Sequence, residues 1–122
     1  MVDQNKAHDL YAEGRSAMKQ GDLDLATKRF RQSIESFPHF KTLELLGECL
    51  LLKNQPSEAI VFLAASAGLG IHQYRARYLL AKAHIAIEEP NDAISQLRES
   101  LRLNPNYKSA TALLRTLVAN EE

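Results

Sequence analysis

Few side chains in this sequence carry reactive groups, and their spacing does not build a catalytic or metal site. The chain has four histidines, none of them four residues from another as in a helical metal site: His8, His39, His72 and His84. The one cysteine, Cys49, falls beside Gly47 on an inner helical face, where a small buried thiol is the ordinary role. The Glu88-Glu89 pair precedes Pro90, where acidic residues favour the N-terminus of the next helix. We therefore expect no enzyme activity, no metal and no cofactor.

The stretch IVFLAASAGLGI, residues 60–71, is the most apolar and glycine-rich part of the chain. Its 12 residues fall well short of the ~20 that a membrane-spanning helix requires, so no membrane segment is expected. Gly68 and Gly70 follow a predicted helix rather than a strand, and no Gly-Lys-Ser/Thr ending follows them, which excludes a phosphate-binding loop. We predict a helix that Gly68 ends in the left-handed conformation.

Charge balance and cysteine content restrict the partner and the compartment. The 122 residues include 15 Lys or Arg and 15 Asp or Glu, so the formal net charge is zero. Domains that mainly bind nucleic acid are usually basic, and we expect no nucleic-acid partner. The N-terminal MVDQNKAHDL lacks the apolar core of a signal peptide, and one cysteine forms no internal disulfide. These features favour a cytoplasmic location, and Met1 with the terminal Glu121-Glu122 suits a complete small chain.

A repeat of 33 to 34 residues runs through the chain. Similar residues recur in five series: Gly14, Gly47, Ala81; Ala26, Ala59, Ala93; Phe30, Leu63, Leu97; Ser33, Ser66, Ser100; and Pro38, Ile71, Pro105. A period in this range is typical of stacked repeats. Within each copy, apolar residues at helical spacing form two groups separated by a turn sequence, QGDLD, KNQPSEA or IEEPNDA. We predict two helices per copy, a left-handed Gly21 in the first turn, and a final amphipathic helix after Pro105.

These positions resemble the tetratricopeptide repeat family, a helix–turn–helix of about 34 residues with large and small residues at set offsets. The matching residues are Leu10, Gly14, Ala26, Phe30 and Pro38 in copy 1, Leu43, Leu46, Gly47, Ala59 and Leu63 in copy 2, and Leu80, Ala81, Ala93, Leu97 and Pro105 in copy 3. The resemblance implies an all-α fold, a right-handed superhelical stack of three helical hairpins with a capping helix. One domain would span residues 1–122, with repeats at 7–39, 40–73 and 74–107 and the capping helix at 107–120.

Packing in such a stack explains the repeated residue types. The small residues would lie where the two helices of a hairpin approach closely, since a larger side chain there forces the helices apart. Phe30, Leu63 and Leu97 would fill the layer between neighbouring repeats.

In tetratricopeptide arrays the first helix of each repeat lines a concave groove, and the resemblance implies that its inward residues bind the partner. Counted from Gly14, Gly47 and Ala81, these candidate residues, here called the groove face, are His8, Tyr11, Arg15, Lys19, Lys41, Glu44, Glu48, Leu52, Arg75, Tyr78 and Lys82. Five are Lys or Arg and two are Glu, an excess of positive charge on a neutral chain. Tyrosines add the flat contact area common at interfaces. We expect a protein or peptide ligand with acidic and apolar residues, and an adaptor or scaffold role.

Chaperone-tail binding is not expected. Family members that grip a C-terminal carboxylate use Lys and Asn on the first helix, Asn on the third, and Lys and Arg on the fifth. The corresponding residues here are Tyr11, Arg15, Leu45, Arg75 and Leu79, and only Arg75 fits.

Three other interpretations remain open at this point. The groove face can be an ordinary solvated surface. The chain can form homo-oligomers through aromatic residues at the repeat junctions, namely Phe37, Phe40, Tyr74 and Tyr107. RNA binding by helical repeats is a third possibility, which the neutral charge and the small number of repeats disfavour.

Leu63 provides a test of the predicted repeat core. We expect Leu63→Ala to reduce the free energy of unfolding by about 2–5 kcal/mol, because it removes a buried side chain and leaves a cavity. Thermal and denaturant unfolding measure this loss. A melting temperature within a few degrees of wild type would contradict a core position.

Overall fold

The computed structural model describes residues 3–70 and 72–119, and in these ranges the chain is all-helical. Its seven helices are α1 (Gln4–Lys19), α2 (Leu23–Ser36), α3 (Phe40–Leu52), α4 (Pro56–Leu69), α5 (Tyr74–Ala86), α6 (Pro90–Leu103) and α7 (Lys108–Ala119). Short connections join α1 to α2, α3 to α4 and α5 to α6 as hairpins, and α7 packs on α6. The predicted stack of three hairpins with a capping helix is confirmed. Ile71 and Asn120, each part of a sequence prediction, lie outside the described residues.

Side chains and prolines at the helix ends explain where the helices begin. The carboxylate of Asp3 accepts a hydrogen bond from the Lys6 amide at 2.9 Å, and Asp22 accepts one from the Leu25 amide at 3.1 Å. Pro56 and Pro90 each open the second helix of their hairpin, where the missing N–H costs nothing.

The predicted left-handed ending at Gly68 is wrong. Helix α4 continues through Gly68 to Leu69, and its C-cap residue is Gly70 with φ −142° and ψ 148°, an extended conformation. Gly68 does not have a positive φ, so the helix passes through it without a left-handed cap. Gly21 is the glycine with positive φ (78°) in the described chain, as predicted.

The turn inside each hairpin uses one left-handed residue at the same repeat position. Gly21 has φ 78°, Asn54 has φ 60° and Glu88 has φ 61°. Glycine and asparagine tolerate this conformation, whereas a longer side chain is strained in it. Glu88 therefore holds the shape of the third turn at a cost in conformational energy.

Within each hairpin a large residue lies directly over a small one. A Cβ atom added to Gly14 would come within 2.5 Å of the Phe30 ring, and one on Gly47 would overlap Leu63. Phe30 and Leu63 are fully buried, as are Ala81, Ala93 and Leu97 in the third copy. The sequence assigned Phe30 and Leu63 to the layer between repeats, whereas the structure shows that they also close their own hairpin.

A serine hydroxyl ties the two helices of each hairpin together. Ser33 donates to the carbonyl of Ala7 at 2.7 Å, Ser66 to Phe40 at 2.7 Å and Ser100 to Tyr74 at 2.8 Å. All three serines are buried, so the bond supplies the partner that a buried hydroxyl requires. The bonds also identify Ala7, Phe40 and Tyr74 as equivalent positions at the start of each first helix.

Two buried clusters form the core. One joins residues from α1 to α5, and the other joins Ala81, Ala93 and Leu97 to Ala110 of the capping helix. Tyr78 packs against both clusters and links them. Among the described residues no helix has the length and apolar character needed to cross a membrane.

Glu88 provides a test of the turn geometry. We expect Glu88→Gly to raise the free energy of unfolding by about 0.5–1 kcal/mol, because relief of left-handed strain exceeds the added flexibility of the unfolded chain. Gly21→Ala, the reverse change at the equivalent position, should lower it by about 1 kcal/mol or more. Denaturant unfolding of both variants measures the difference. Destabilisation by Glu88→Gly would contradict the proposed strain.

Candidate binding groove

The groove face lies on the three first helices, four residues each on α1 and α3 and three on α5. His8, Arg15, Lys19, Leu52 and Lys82 are exposed, whereas Tyr11, Lys41, Glu48, Arg75 and Tyr78 are half-buried. Glu44 differs from the rest, since it is only 2% exposed. The predicted groove-face residues are therefore exposed or half-buried, except for Glu44, which is buried.

An ion-pair network occupies the centre of this face. The carboxylate of buried Glu44 accepts hydrogen bonds from Lys41 Nζ at 2.7 Å and from Arg75 Nη1 at 2.9 Å. Arg75 Nη2 donates to Glu48 at 2.8 Å. A buried carboxylate requires such partners, and here two cations supply them. The network joins α3 to α5 and therefore also joins repeats two and three.

Arg75 therefore has a structural role, because its guanidinium is held by two carboxylates of α3. Its partial burial by itself would lower its pKa, but hydrogen bonds and charges from Glu48 and Glu44 outweigh that effect and raise the pKa above its ordinary value. Sequence analysis counted Arg75 and Lys41 in the basic excess of the groove face. Both charges are balanced within the structure by Glu44 and Glu48, a pairing that the spacing alone did not reveal.

On each side of this network a tyrosine ring lies next to a cation of the same helix, and we call each pair a tyrosine–cation unit. The Arg15 guanidinium lies 5.8 Å from the centre of the Tyr11 ring on α1, and the Lys82 ammonium lies 5.7 Å from the Tyr78 ring on α5. Each geometry fits a cation–π contact. In the described ranges neither Arg15 nor Lys82 forms an ion pair, so both charges face solvent.

Tyr107, which the groove prediction missed, belongs to this surface. Its ring lies edge-on to Tyr78 at 5.3 Å and to Tyr74 at 5.0 Å. Burial is the main cause that raises the Tyr107 pKa. Its place beside α5 could have been recognised from the repeat period, because it follows Tyr74 by 33 residues and immediately precedes α7. Tyr74 and Tyr107 therefore contact each other within the chain, which leaves less of either ring for a second copy.

Two positions of the carboxylate clamp are part of the core. Leu45 is 8% exposed and Leu79 is 4% exposed, so each points into the packed interior. Neither side chain offers a hydrogen-bond donor or a charge. These two positions therefore cannot donate a hydrogen bond to a C-terminal carboxylate.

Other reactive groups lie apart from the groove face. Cys49 is fully buried, and desolvation raises its pKa from 9.0 to about 11, so the thiol is neutral at physiological pH. Ligand-type atoms of His84, Glu89 and Asp92 lie within 4.8 Å of one another, a cluster that sequence spacing did not reveal. Glu89 and Asp92 stand at the N-terminus of α6, where their charge favours the helix dipole.

Arg75 provides a test of the central network. We expect Arg75→Met to lower the free energy of unfolding by about 1–3 kcal/mol, because buried Glu44 then keeps only Lys41 as a partner. The effect is below that of a fully buried pair, since the Arg75 side chain is 37% exposed. The matched control is Lys82→Met on the same helix, which should change stability by about 0.5 kcal/mol or less. Equal effects of the two variants would refute the structural role of Arg75.

Two family models and two curated relatives match this chain along its repeats. A tetratricopeptide repeat model matches residues 10–39, and a model described as anaphase-promoting complex, cyclosome, subunit 3 matches residues 39–100. Human protein O-mannosyl-transferase TMTC3 is 34% identical over 90 residues, which cover 72% of this chain and 10% of that protein. The chain spans 10% and 21% of the lengths of the curated relatives that it matches.

Solved structures share the fold at lower identity. The first tetratricopeptide domain of Spaghetti (RPAP3), bound to the HSP90 peptide SRMEEVD, has a TM-score of 0.94 and 22% identity, covering 98% of this chain and 95% of that one. The Yersinia enterocolitica type III secretion chaperone SycD, in complex with a peptide of the translocator YopD, has a TM-score of 0.91 and 19% identity, covering 98% of each chain. These likenesses show the fold, and the two family models together with the repeated contacts show that the chain belongs to the tetratricopeptide repeat family.

Proposed function

We propose that this chain is a non-enzymatic interaction module that binds a peptide segment of a partner protein across the groove face, as an adaptor or scaffold. The observation that supports it most is the pair of tyrosine–cation units, Tyr11 with Arg15 and Tyr78 with Lys82. Each unit offers an aromatic surface next to a solvent-facing charge. The bound peptide structures of related folds show that such arrays hold peptides.

The spacing of the two units indicates what the segment contains. α1 and α5 belong to the first and third hairpins, and α3 of the second hairpin comes between them in the repeat order. We therefore propose an extended segment with acidic residues opposite the two units and apolar residues between them. The network between the units is neutral, because Lys41 and Arg75 balance Glu44 and Glu48, so an acidic residue opposite it gains little attraction.

Other partners fit this surface less well. The clamp positions hold Leu45 and Leu79, so the HSP90 peptide bound by Spaghetti is not the ligand that we propose. The zero net charge disfavours nucleic acid. A single cysteine forms no disulfide within the chain, and we propose a cytoplasmic location. All three hairpins contribute to the groove face, so we propose that they act as one domain.

A double charge reversal, Arg15→Glu with Lys82→Glu, tests this proposal. Short random peptides are selected on the full chain, and affinities of the enriched peptides are measured by fluorescence polarisation. We expect enrichment of acidic and apolar residues, and a loss of about tenfold or more in affinity for the variant, because two attractive charge contacts become repulsive.

The matched control reverses two exposed charges away from the groove face, Lys28→Glu on α2 with Arg98→Glu on α6. It changes the net charge by the same amount and should retain the wild-type affinity. An equal loss of peptide affinity in both double variants, or no loss in either, would contradict the assignment of the groove face as the binding site. Circular dichroism of each variant checks that the helices are retained.

A further inference from the structure

A cleft of about 450 Å³ lies at one edge of the groove face, between the N-terminal halves of α1 and α3. Its walls are mainly apolar and include Ala7, Tyr11, Phe37 and Phe40. His8 and Lys41 also line it, and none of its lining residues is acidic. We call it the first-junction cleft.

The repeat period shows why this junction is open. The serine hydrogen bonds make Ala7 equivalent to Phe40 and Tyr74, so the first copy has a methyl group where the others have a ring. The first and second junctions lie between successive hairpins, and the third lies between the last hairpin and the capping helix. At the third junction, Tyr74 and Tyr78 pack edge-on against Tyr107. The small side chain of Ala7 leaves the equivalent space at the first junction unfilled.

The cations at the first and second junctions also differ in the helix that they contact. At the second junction Arg75 crosses from α5 to reach Glu44 on α3. Lys41, its equivalent one repeat earlier, bonds Glu44 within its own helix at 2.7 Å instead of crossing to α1. Tyr11, the equivalent of Glu44, has no carboxylate to attract it. Both differences leave space beside Tyr11.

We propose that the first-junction cleft takes an aromatic side chain of the partner segment, with a carboxylate next to that ring directed at His8 and Lys41. The ring would replace the one that Ala7 lacks, in apolar surroundings like those of the tyrosine cluster at the third junction. The ammonium of Lys41 has N–H groups beyond the one given to Glu44, so it can donate to an incoming carboxylate. As a statement about the partner, this inference rests on the proposed function, because it names one anchor residue of the same segment.

The test uses 2-naphthylacetate as an aromatic carboxylate probe, 2-naphthylacetamide as its uncharged counterpart, and the full chain labelled with ¹⁵N. We expect saturable NMR shifts at the amides of Ala7, Tyr11 and Thr42, with weaker binding of the amide. Ala7→Tyr should reduce the affinity about tenfold or more, because it fills the cleft with a ring that equivalent positions already accommodate. The matched control is Ala12→Tyr, the same change at an exposed position of α1 outside the cleft, which should keep the wild-type affinity.

Several results would overturn the inference: no shift in the wild type, shifts centred elsewhere, or equal binding by wild type and Ala7→Tyr. If Ala7→Tyr does not fold, intermolecular NOEs between the naphthyl protons and the Tyr11 and Phe37 rings decide in its place. Lys28→Glu with Arg98→Glu should bind the probe as wild type does, since neither residue lines the cleft or belongs to the groove face. Probe binding is measured independently of the peptide selection, so a failed selection with a retained probe site would reject the proposed function and leave the cleft.

Discussion

The close approach of two helices inside each hairpin is the constraint on which the other features depend. Gly14 and Gly47 have no Cβ, and the Phe30 ring and the Leu63 side chain occupy the space that a Cβ would take. A serine hydroxyl fixes the same pair of helices to one register by bonding a carbonyl at the start of the first helix. Because the hairpins share one geometry, their first helices can lie side by side and present one continuous face.

Repetition of the backbone leaves the junctions between hairpins free to differ. Equivalent positions hold Tyr11, Glu44 and Tyr78, and the space next to them is respectively open, bridged by Arg75 and filled by Tyr107. An ion pair that crosses between helices fixes the second junction without an aromatic ring. The groove face is therefore not uniform, and its tyrosine–cation pairs lie at its two sides.

Ion pairing with a buried carboxylate reduces the positive charge that the groove face presents to solvent. Five Lys or Arg against two Glu give an apparent positive surface when the residues are counted. Glu44 and Glu48 neutralise Lys41 and Arg75, so the groove-face cations without an ion pair to a described residue are Arg15, Lys19 and Lys82. A carboxylate that is 2% exposed must keep its cations, since separating them would leave a buried charge unpaired.

The sequence by itself determined the all-α stack, the helix–turn–helix period, the left-handed Gly21 and the buried Cys49, because steric exclusion at small residues and helical periodicity are local properties. It placed a left-handed helix end at Gly68, whereas α4 continues to Leu69 and has an extended Gly70 as its C-cap. Only the tertiary structure decided which cations are already paired, why Tyr107 joins Tyr78, and where a missing ring at Ala7 leaves a cleft. Those features depend on distances between residues that lie a repeat or more apart, and a one-dimensional spacing does not contain those distances.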